Sequence, residues 1–401
     1  MSSRRLASGG VVDRTLAVGF SFDGRHYTGH PGDTLASALL AAGVRIVGRS
    51  SKYHRPRGIW GAWVEEPNAI FDLVRDGVRT PNCRATTTPL TDGVQALSVI
   101  GSPTAEGDRH AWIDRFARFI PAAFYYKTFM WPNWHWFEPR IRAMAGLGRA
   151  DPGFRSEAIA RQRHAKCELL VVGAGVAGLA CACAAAERGQ DVLLVDDRSA
   201  PGGLLGDTLE TIDGIAGVEW ARRSAAAFAA AGGRYLASTT AFGIYDHKLV
   251  LCNQIDPGGV PDMLWRVRAE RIVLATGAIE RPLTFPDNDR PGVMSAHAAL
   301  AYLNRFGVLV GERIVVATNN SSAVGIARAL RAAGAQEHER LGARLACRPA
   351  RRAPRAWRTA RGRHPAGFGR MDAERASALP GRRQARLARG PARLRAAPRN
   401  C

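Results

Sequence analysis

The chain has 401 residues, 46% of them hydrophobic, and a formal net charge of +21. That length allows two or three domains at roughly 150 residues each, and that apolar content excludes global disorder. The charge suggests a nucleic-acid partner only until it is located: residues 337–401 hold 18 arginines, no lysine and four acids, a net of +14 that leaves +7 for the rest.

The opening MSSRRLASGG has two arginines but no apolar stretch of a secretory signal. Residues 15–29, TLAVGFSFDGRHYTG, alternate apolar and polar around Asp23-Gly24, which predicts a hairpin with a type I′ turn. PGDTLASALLAAG follows: Asp33 is the expected N-cap of a short helix and Gly43 its left-handed C-terminal stop. Hairpin, helix and the next loop open a β-grasp, ferredoxin-like domain, expected over 12–105. A plant-type iron–sulfur ferredoxin needs C-x₄-C-x₂-C in that loop and a fourth cysteine later. Here the loop reads KYHRPRGIWGAWVEEPN and Cys83 is the only cysteine before Cys167, so ligand count excludes a cluster. Lys52, His54, Arg55 and Arg57 make the loop basic, either as a solvated surface or as a face toward a partner or phosphate.

Residues 106–165 form an expected aromatic connector. Eleven of the 26 positions from 112 to 137 are Phe, Tyr or Trp, which suits packing between domains or a subunit interface; Pro121, Pro132 and Lys127 break the stripe of a membrane helix.

Residues 167–197, CELLVVGAGVAGLACACAAAERGQDVLLVDD, carry the strongest signal. A β-run at 168–172 leads into Gly173-x-Gly175-x-x-Gly178, a helix of small residues, and a second β-run at 191–195 ending at Asp196. Gly173 permits the turn, Gly175 admits a pyrophosphate and Gly178 seats the helix on the strand, whose free N–H groups attract phosphate. Asp196 lies where a carboxylate accepts the adenosine ribose hydroxyls, favouring NAD or FAD over NADP; both carry the same ADP half. Gly203, in RSAPGGLLGD, lets backbone close over the cofactor, and RIVLATGAIERP ends a returning strand at Ala275-Thr276-Gly277. The first Rossmann-type domain is expected over 166–284. A second, degenerate one begins at 285–336, where Thr318, Asn320 and Ala323 replace the glycines and a strand is due near residue 337.

Cys181 and Cys183, two apart on a helix, do not face each other. With seven cysteines in all and no CxxC pair, neither a disulfide framework nor a zinc site is expected, and a reducing, cytoplasmic setting fits. The longest small-and-apolar run, 171–186, is too short and glycine-rich for a bilayer span.

Taken in order, SSKYHRPRGIWGAWVEEPNAIFD, IPAAFYYKTFMWP and CELLVVGAGVAGLACA make the chain, from about Arg14 to about Gln336, resemble the α subunit of heterotetrameric sarcosine oxidases. The fold this implies is α/β: a cluster-less ferredoxin-like β-grasp followed by a truncated two-dinucleotide-binding, Rossmann-type flavoprotein. It also implies oxidation of N-methylglycine on a flavin-bearing β subunit, FMN at the α–β interface, further small subunits, and NAD in the α subunit. The implied site is Gly173, Gly175, Val176, Ala177 and Gly178 at the phosphates, Asp196, Asp197 and Arg198 at the ribose, and Gly203, Leu204, Ala241, Ala275, Thr276 and Gly277 around them; no metal and no catalytic acid or base transfers. An FAD-binding subunit of another amino-acid or opine dehydrogenase is the alternative, and a nucleic-acid-binding product acting through its tail the third. The family's α subunit is longer, with a completed second domain and a folate domain. The Arg, Ala, Gly and Pro bias of 337–401 is what GC-rich coding DNA gives in a wrong frame. The expectation is that this tail does not fold and leaves the strand at 312–317 with an unpaired edge.

Overall fold

The computed structural model describes residues 4–120, 128–129, 131–146, 161–255, 263–318, 320–337 and 346–348. All of them fall in one compact unit, Met1–Arg351; the bulk of the arginine-rich tail, with the expectations attached to it, lies outside the described residues.

β1 (Val18–Phe22) and β2 (Arg25–Gly29) form the predicted hairpin. Asp23 and Gly24 sit at φ 48° and 79°, the two positive values a type I′ turn requires. The short helix Leu35–Ala41 follows, buried along its whole length. Its N-cap is Thr34, not Asp33: the Thr34 hydroxyl accepts from the Ser37 N–H and the Ser37 hydroxyl from the Thr34 N–H. Asp33 sits one residue too early to cap. It accepts instead from the Ser37 hydroxyl at 2.6 Å, the His30 N–H at 2.9 Å and Arg5 Nη2 at 2.6 Å. Gly43 stops the helix at φ 79° as expected.

β3 (Gly48–Arg49) and β4 (Pro56–Arg57) pair around the basic loop. β5 (Ile70–Arg75), β6 (Val78–Arg84) and β7 (Gln95–Ser98) complete a five-stranded sheet of order β2-β1-β7-β5-β6. Its core does not close on itself. Phe22, Leu35, Leu39 and Phe71 share one buried cluster with Tyr302, Phe306, Ile314 and Leu330, so the apolar faces of the ferredoxin-like sheet and of the stretch 294–335 are covered by each other.

Between them in sequence comes the second sheet, of order β12-β9-β8-β15-β14-β13. β8 (Arg161–Val172) and β9 (Val192–Val195) run parallel, joined by the helix Val176–Ala186. A small ribbon, β10 (Thr211–Ile212) and β11 (Ile215–Ala216), precedes the helix Gly217–Ala230. β12 (Arg234–Leu236) extends the parallel part, and β13 (Thr239–Tyr245), β14 (Leu249–Gln254) and β15 (Met263–Leu274) form a meander whose last strand lies parallel to β8. β8 starts at Arg161, well before the predicted 168. Its first half, RQRHAKC, is largely exposed, so it lacks the apolar run that marks a strand buried on both faces.

β16 (Arg313–Val315) is not an orphan edge. It pairs parallel with β17 (Gln336–Glu337) and antiparallel with β18 (Ala346–Arg348). Sheet pairing needs only backbone N–H and C=O groups, which arginine-rich sequence supplies as well as any other. Among the described residues no helix is long and apolar enough to cross a membrane.

Candidate functional site

A cleft of about 1210 Å³ opens at the C-terminal ends of β8, β9 and β15, the place where open α/β sheets bind ligands. The glycine turn forms its floor, and its geometry leaves no room for a side chain at Gly173 or Gly178. Gly173 has φ 104°, and a Cβ there would lie 2.4 Å from the Ala275 carbonyl oxygen. The Ala275 N–H donates to the Val172 carbonyl at 2.8 Å, so the strand end carrying Ala275, Thr276 and Gly277 is laced against the turn. Gly203, at φ 57°, faces the turn from above, and its Cβ would come within 3.0 Å of the Gly175 Cα. Gly175 is the N-cap of the helix Val176–Ala186 and brings no side chain to it; its own Cβ direction is open space. The first N–H groups of that helix therefore face the cleft with room for a phosphate above them.

Thirteen of the fourteen residues expected at the site line this cleft: Gly173, Gly175, Val176 and Ala177 below, Asp196, Asp197 and Arg198 at one end, Gly203 and Leu204 above, and Ala241, Ala275, Thr276 and Gly277 along the wall. Gly178 does not. It is buried, and a Cβ on it would lie 1.8 Å from the Gly173 carbonyl oxygen, so it serves helix packing and not ligand contact.

The two aspartates differ. Asp196 is buried and accepts from the Ala174 N–H at 2.5 Å and the Arg198 N–H at 2.9 Å; burial pushes its carboxyl up. It locks the glycine turn to the end of β9 and keeps lone pairs for a ligand. Asp197 is exposed at the cleft.

Three groups escaped sequence reasoning because they come from distant segments. Trp63, from the ferredoxin-like loop, lies between two guanidiniums, Arg198 at 3.9 Å and Arg305 at 4.4 Å from its ring centre. Its indole N–H donates to Asp207 Oδ2 at 2.9 Å. Asp207 is buried, its carboxyl pushed up by desolvation against the pull of both arginines. Cation–π sandwiches carry no signature in a linear sequence.

The basic loop is neither a solvated surface nor a phosphate face. His54 is 1% exposed and its Nδ1 lies 2.7 Å from Asp108 Oδ2, while Arg49 donates to the Ala105 and His54 carbonyls at 2.7 and 2.9 Å. Arg55 pairs with Asp114 at 2.7 Å, Arg290 reaches the same carboxylate at 2.6 Å, and Arg57 pairs with Asp289 at 2.9 Å. Acids from later segments, which local composition cannot reveal, neutralise it. Among the described residues, His54, Asp108 and His110 are the one grouping close enough to share a metal ion. Arg49, 3.9 Å from the Asp108 carboxylate, already balances that charge, and the grouping is a buried histidine hydrogen-bonded to a carboxylate.

The aromatic stretch is not packed away between domains where it is described. Trp112, Phe116 and Phe119 project from the 3₁₀ helix Ala111–Phe119 into solvent, and Trp131 and Trp136 are 85% and 74% exposed; the expectations for 121–127 lie outside the described residues.

Of the cysteines, Cys167 and Cys252 are buried and their thiols are pushed up to about 11 by desolvation. Neither is expected to react with an alkylating reagent at pH 8 until the chain unfolds, because the thiolate is the nucleophile. Peptide mass mapping after native labelling checks this, and rapid modification of either thiol would contradict the packing.

The glycine-turned, six-stranded domain behind a ferredoxin-like one defines the class: an oxidoreductase-type dinucleotide-binding protein. Residues 167–339 match the pyridine nucleotide-disulphide oxidoreductase family and residues 16–99 the 2Fe-2S iron-sulfur cluster binding domain. The chain is homologous to sarcosine oxidase subunit alpha. It is 46% identical over 347 residues to that of Rhizobium meliloti (strain 1021), covering 83% of this chain and 35% of the relative. It is 35% identical over 346 residues to that of Corynebacterium sp. (strain U-96), covering 83% and 31%. The chain thus spans about a third of the length of these curated relatives. L-proline dehydrogenase from P. horikoshii shares the fold, with a TM-score of 0.56 at 19% identity over 83% of this chain and 55% of that one. The ferredoxin-like domain does not fit the cluster its family is described by, having one cysteine, Cys83, where four thiolates are needed.

Proposed function

We propose that this chain is the dinucleotide-binding part of an α subunit in a heterotetrameric sarcosine oxidase, and that its cleft takes NAD, with FAD the alternative dinucleotide. The observation that carries the reading is the convergence of glycine turn, free helix N-terminus and paired aspartates in a chain 46% identical to a sarcosine oxidase α subunit. In such a complex sarcosine, O₂ and water give glycine, formaldehyde and H₂O₂ on a flavin-bearing β subunit, with FMN at the shared interface. This chain contributes no acid or base to that step. A bound dinucleotide supplies hydride-transfer capacity. The residues here hold it: the turn N–H groups take the pyrophosphate, and Asp196 and Asp197 take the adenosine ribose. Arg198, the arginine beside the two aspartates, is committed to Trp63, the Gly203 carbonyl and Asp207, which favours the unphosphorylated ribose. The solvent-facing Trp112, Phe116, Phe119, Trp131 and Trp136 suit a docking face for the β subunit, since large rigid aromatics bury much area at little entropic cost.

The test is to purify the full chain, assay one portion for flavin released by heating, and titrate a second, unheated portion with NADH by fluorescence. NADH binding with no flavin released supports the reading. One FAD released per chain, with NADH ignored, would assign the cleft to flavin.

A further inference from the structure

We infer that Glu66 stands where the ferredoxin-like fold otherwise holds an iron–sulfur cluster, so that this loop is organised around a protein carboxylate in place of an inorganic anion. The loop wraps the side chain completely. Glu66 is 1% exposed, and its two oxygens accept four backbone N–H groups: Trp60 at 2.7 Å and Gly61 at 2.6 Å on Oε2, Asn68 at 2.7 Å and Ala69 at 2.9 Å on Oε1. Its neighbour Glu65 takes two more, from Ala62 at 2.8 Å and Trp63 at 3.1 Å. Six converging donors between residues 60 and 69 are what a loop built to surround an anion presents.

The spacing fixes the correspondence. A plant-type cluster draws three thiolates from C-x₄-C-x₂-C in this loop and the fourth from a cysteine further on. Gly61, Glu66 and Ala69 have that spacing, and two of them donate the N–H groups that hold the third. The later segment is tied to the same loop: Arg84 Nε donates to the Glu66 carbonyl at 3.2 Å, the Ala85 N–H to the Ala69 carbonyl at 2.9 Å, and the hydroxyl of the fully buried Thr86 to the Trp63 carbonyl at 2.6 Å. Cys83 turns its Sγ to the Thr80 and Pro81 carbonyls of its own strand, so the side chain that reaches the loop from beyond it is Thr86. All four ligand positions of the cage are therefore present in the fold, each with another residue. Without cluster or carboxylate, the N–H groups would be buried and unpaired.

The substitution changes what the loop does. Its outer side is braced against the helix Ala296–Phe306, the Tyr302 hydroxyl donating to the Gly61 carbonyl at 3.0 Å and the Ser295 N–H to the Trp60 carbonyl at 2.9 Å. Trp63, carried on the same loop, enters the dinucleotide cleft. A fixed carboxylate cannot pass electrons, and the loop becomes a rigid mount for Trp63.

Amide exchange on the full chain tests this. Glu66→Ala is expected to raise exchange at Trp60, Gly61, Asn68 and Ala69 by on the order of a hundredfold, while Glu65→Ala leaves Asn68 and Ala69 unchanged. Should Glu66→Ala fail to fold, Glu66→Gln, which keeps one acceptor oxygen, is expected to raise exchange by about tenfold on one pair of these amides. Unchanged protection in the folded variant would overturn the inference. A second arm rebuilds the cage with Gly61→Cys, Glu66→Cys, Ala69→Cys and Thr86→Cys. A Cβ at Gly61 would lie 2.7 Å from Glu65 Oε1, so that side chain must give up its bonds from the Ala62 and Trp63 N–H groups to make room. Anaerobic addition of ferrous iron and sulfide is expected to give visible sulfide-to-iron absorption in this variant, lost when position 86 keeps its native Thr. A natively folded quadruple variant that binds no iron, or one indifferent to keeping Thr86, would sink the correspondence.

Discussion

Gly178→Ala is expected to abolish dinucleotide binding and to cost about 2–3 kcal/mol of stability, whereas Gly175→Ala is expected to weaken binding at nearly unchanged stability. The difference lies in what each new methyl meets. At 178 it would lie 1.8 Å from the Gly173 carbonyl oxygen, 2.9 Å from the carbonyl carbon and 3.3 Å from the Ala275 Cβ. Two of these atoms are backbone inside a laced turn, so relief requires the helix Val176–Ala186 to lift off β8. Lifting it displaces the N–H groups that face the phosphates and opens the cluster of Leu169, Val171, Leu179 and Ala182. At 175 the methyl enters open space, which is the cleft itself; the fold is untouched and only a ligand is displaced. Thermal denaturation alongside an NADH titration separates the two. Equal melting temperatures for both variants would mean that the helix does not seat on the strand as described.

A second contrast is expected between the adjoining aspartates. Asp196→Asn replaces a carboxylate that accepts two backbone N–H groups with an amide whose NH₂ must confront one of them. A stability loss of roughly 1.5–3 kcal/mol follows from the loss of a charge-assisted bond, together with a loosened turn and a ten- to hundredfold fall in NADH affinity. Asp197→Asn, at an exposed position, should leave stability within about 0.5 kcal/mol and lower affinity by about tenfold through the ribose alone. Calorimetric titration and melting curves on the two variants check this. If neither changes affinity, the adenosine is not held at this end of the cleft.

The glycine turn, the β-runs on either side and the hairpin at Asp23-Gly24 were legible because each is a local device. A turn type or a helix seat imposes its residue on one position, and the signal survives in one dimension. Asp33 is expected at the cap that Thr34 fills because both residues are good caps, and a one-residue offset in where the helix starts leaves no mark in the local pattern. The fate of the basic loop, the shared core and the Trp63 sandwich were not legible at all. Each depends on pairing across the chain, Arg57 with Asp289 or Trp63 with Arg305, and composition records charges without recording where their partners fall. β18 escaped because a strand of three residues, Ala346–Arg348, leaves no periodicity to detect.

The first residues of the chain are fastened to its later part. Arg5 bridges Val308 antiparallel, the Leu6 N–H donates to the Gly307 carbonyl at 2.8 Å, and Arg4 Nη1 reaches the Val310 carbonyl at 2.9 Å. Together with the buried cluster that unites Phe71 with Tyr302, this makes the ferredoxin-like domain a unit completed from both ends. On the ribosome, its sheet emerges early but has no lid until residues near 310 follow, with the whole dinucleotide domain synthesised in between. Such long sequence separation slows folding and leaves apolar surface uncovered meanwhile. Excised alone, residues 12–105 would carry that uncovered face permanently, and chaperone demand during synthesis should track the interval before the strap can engage.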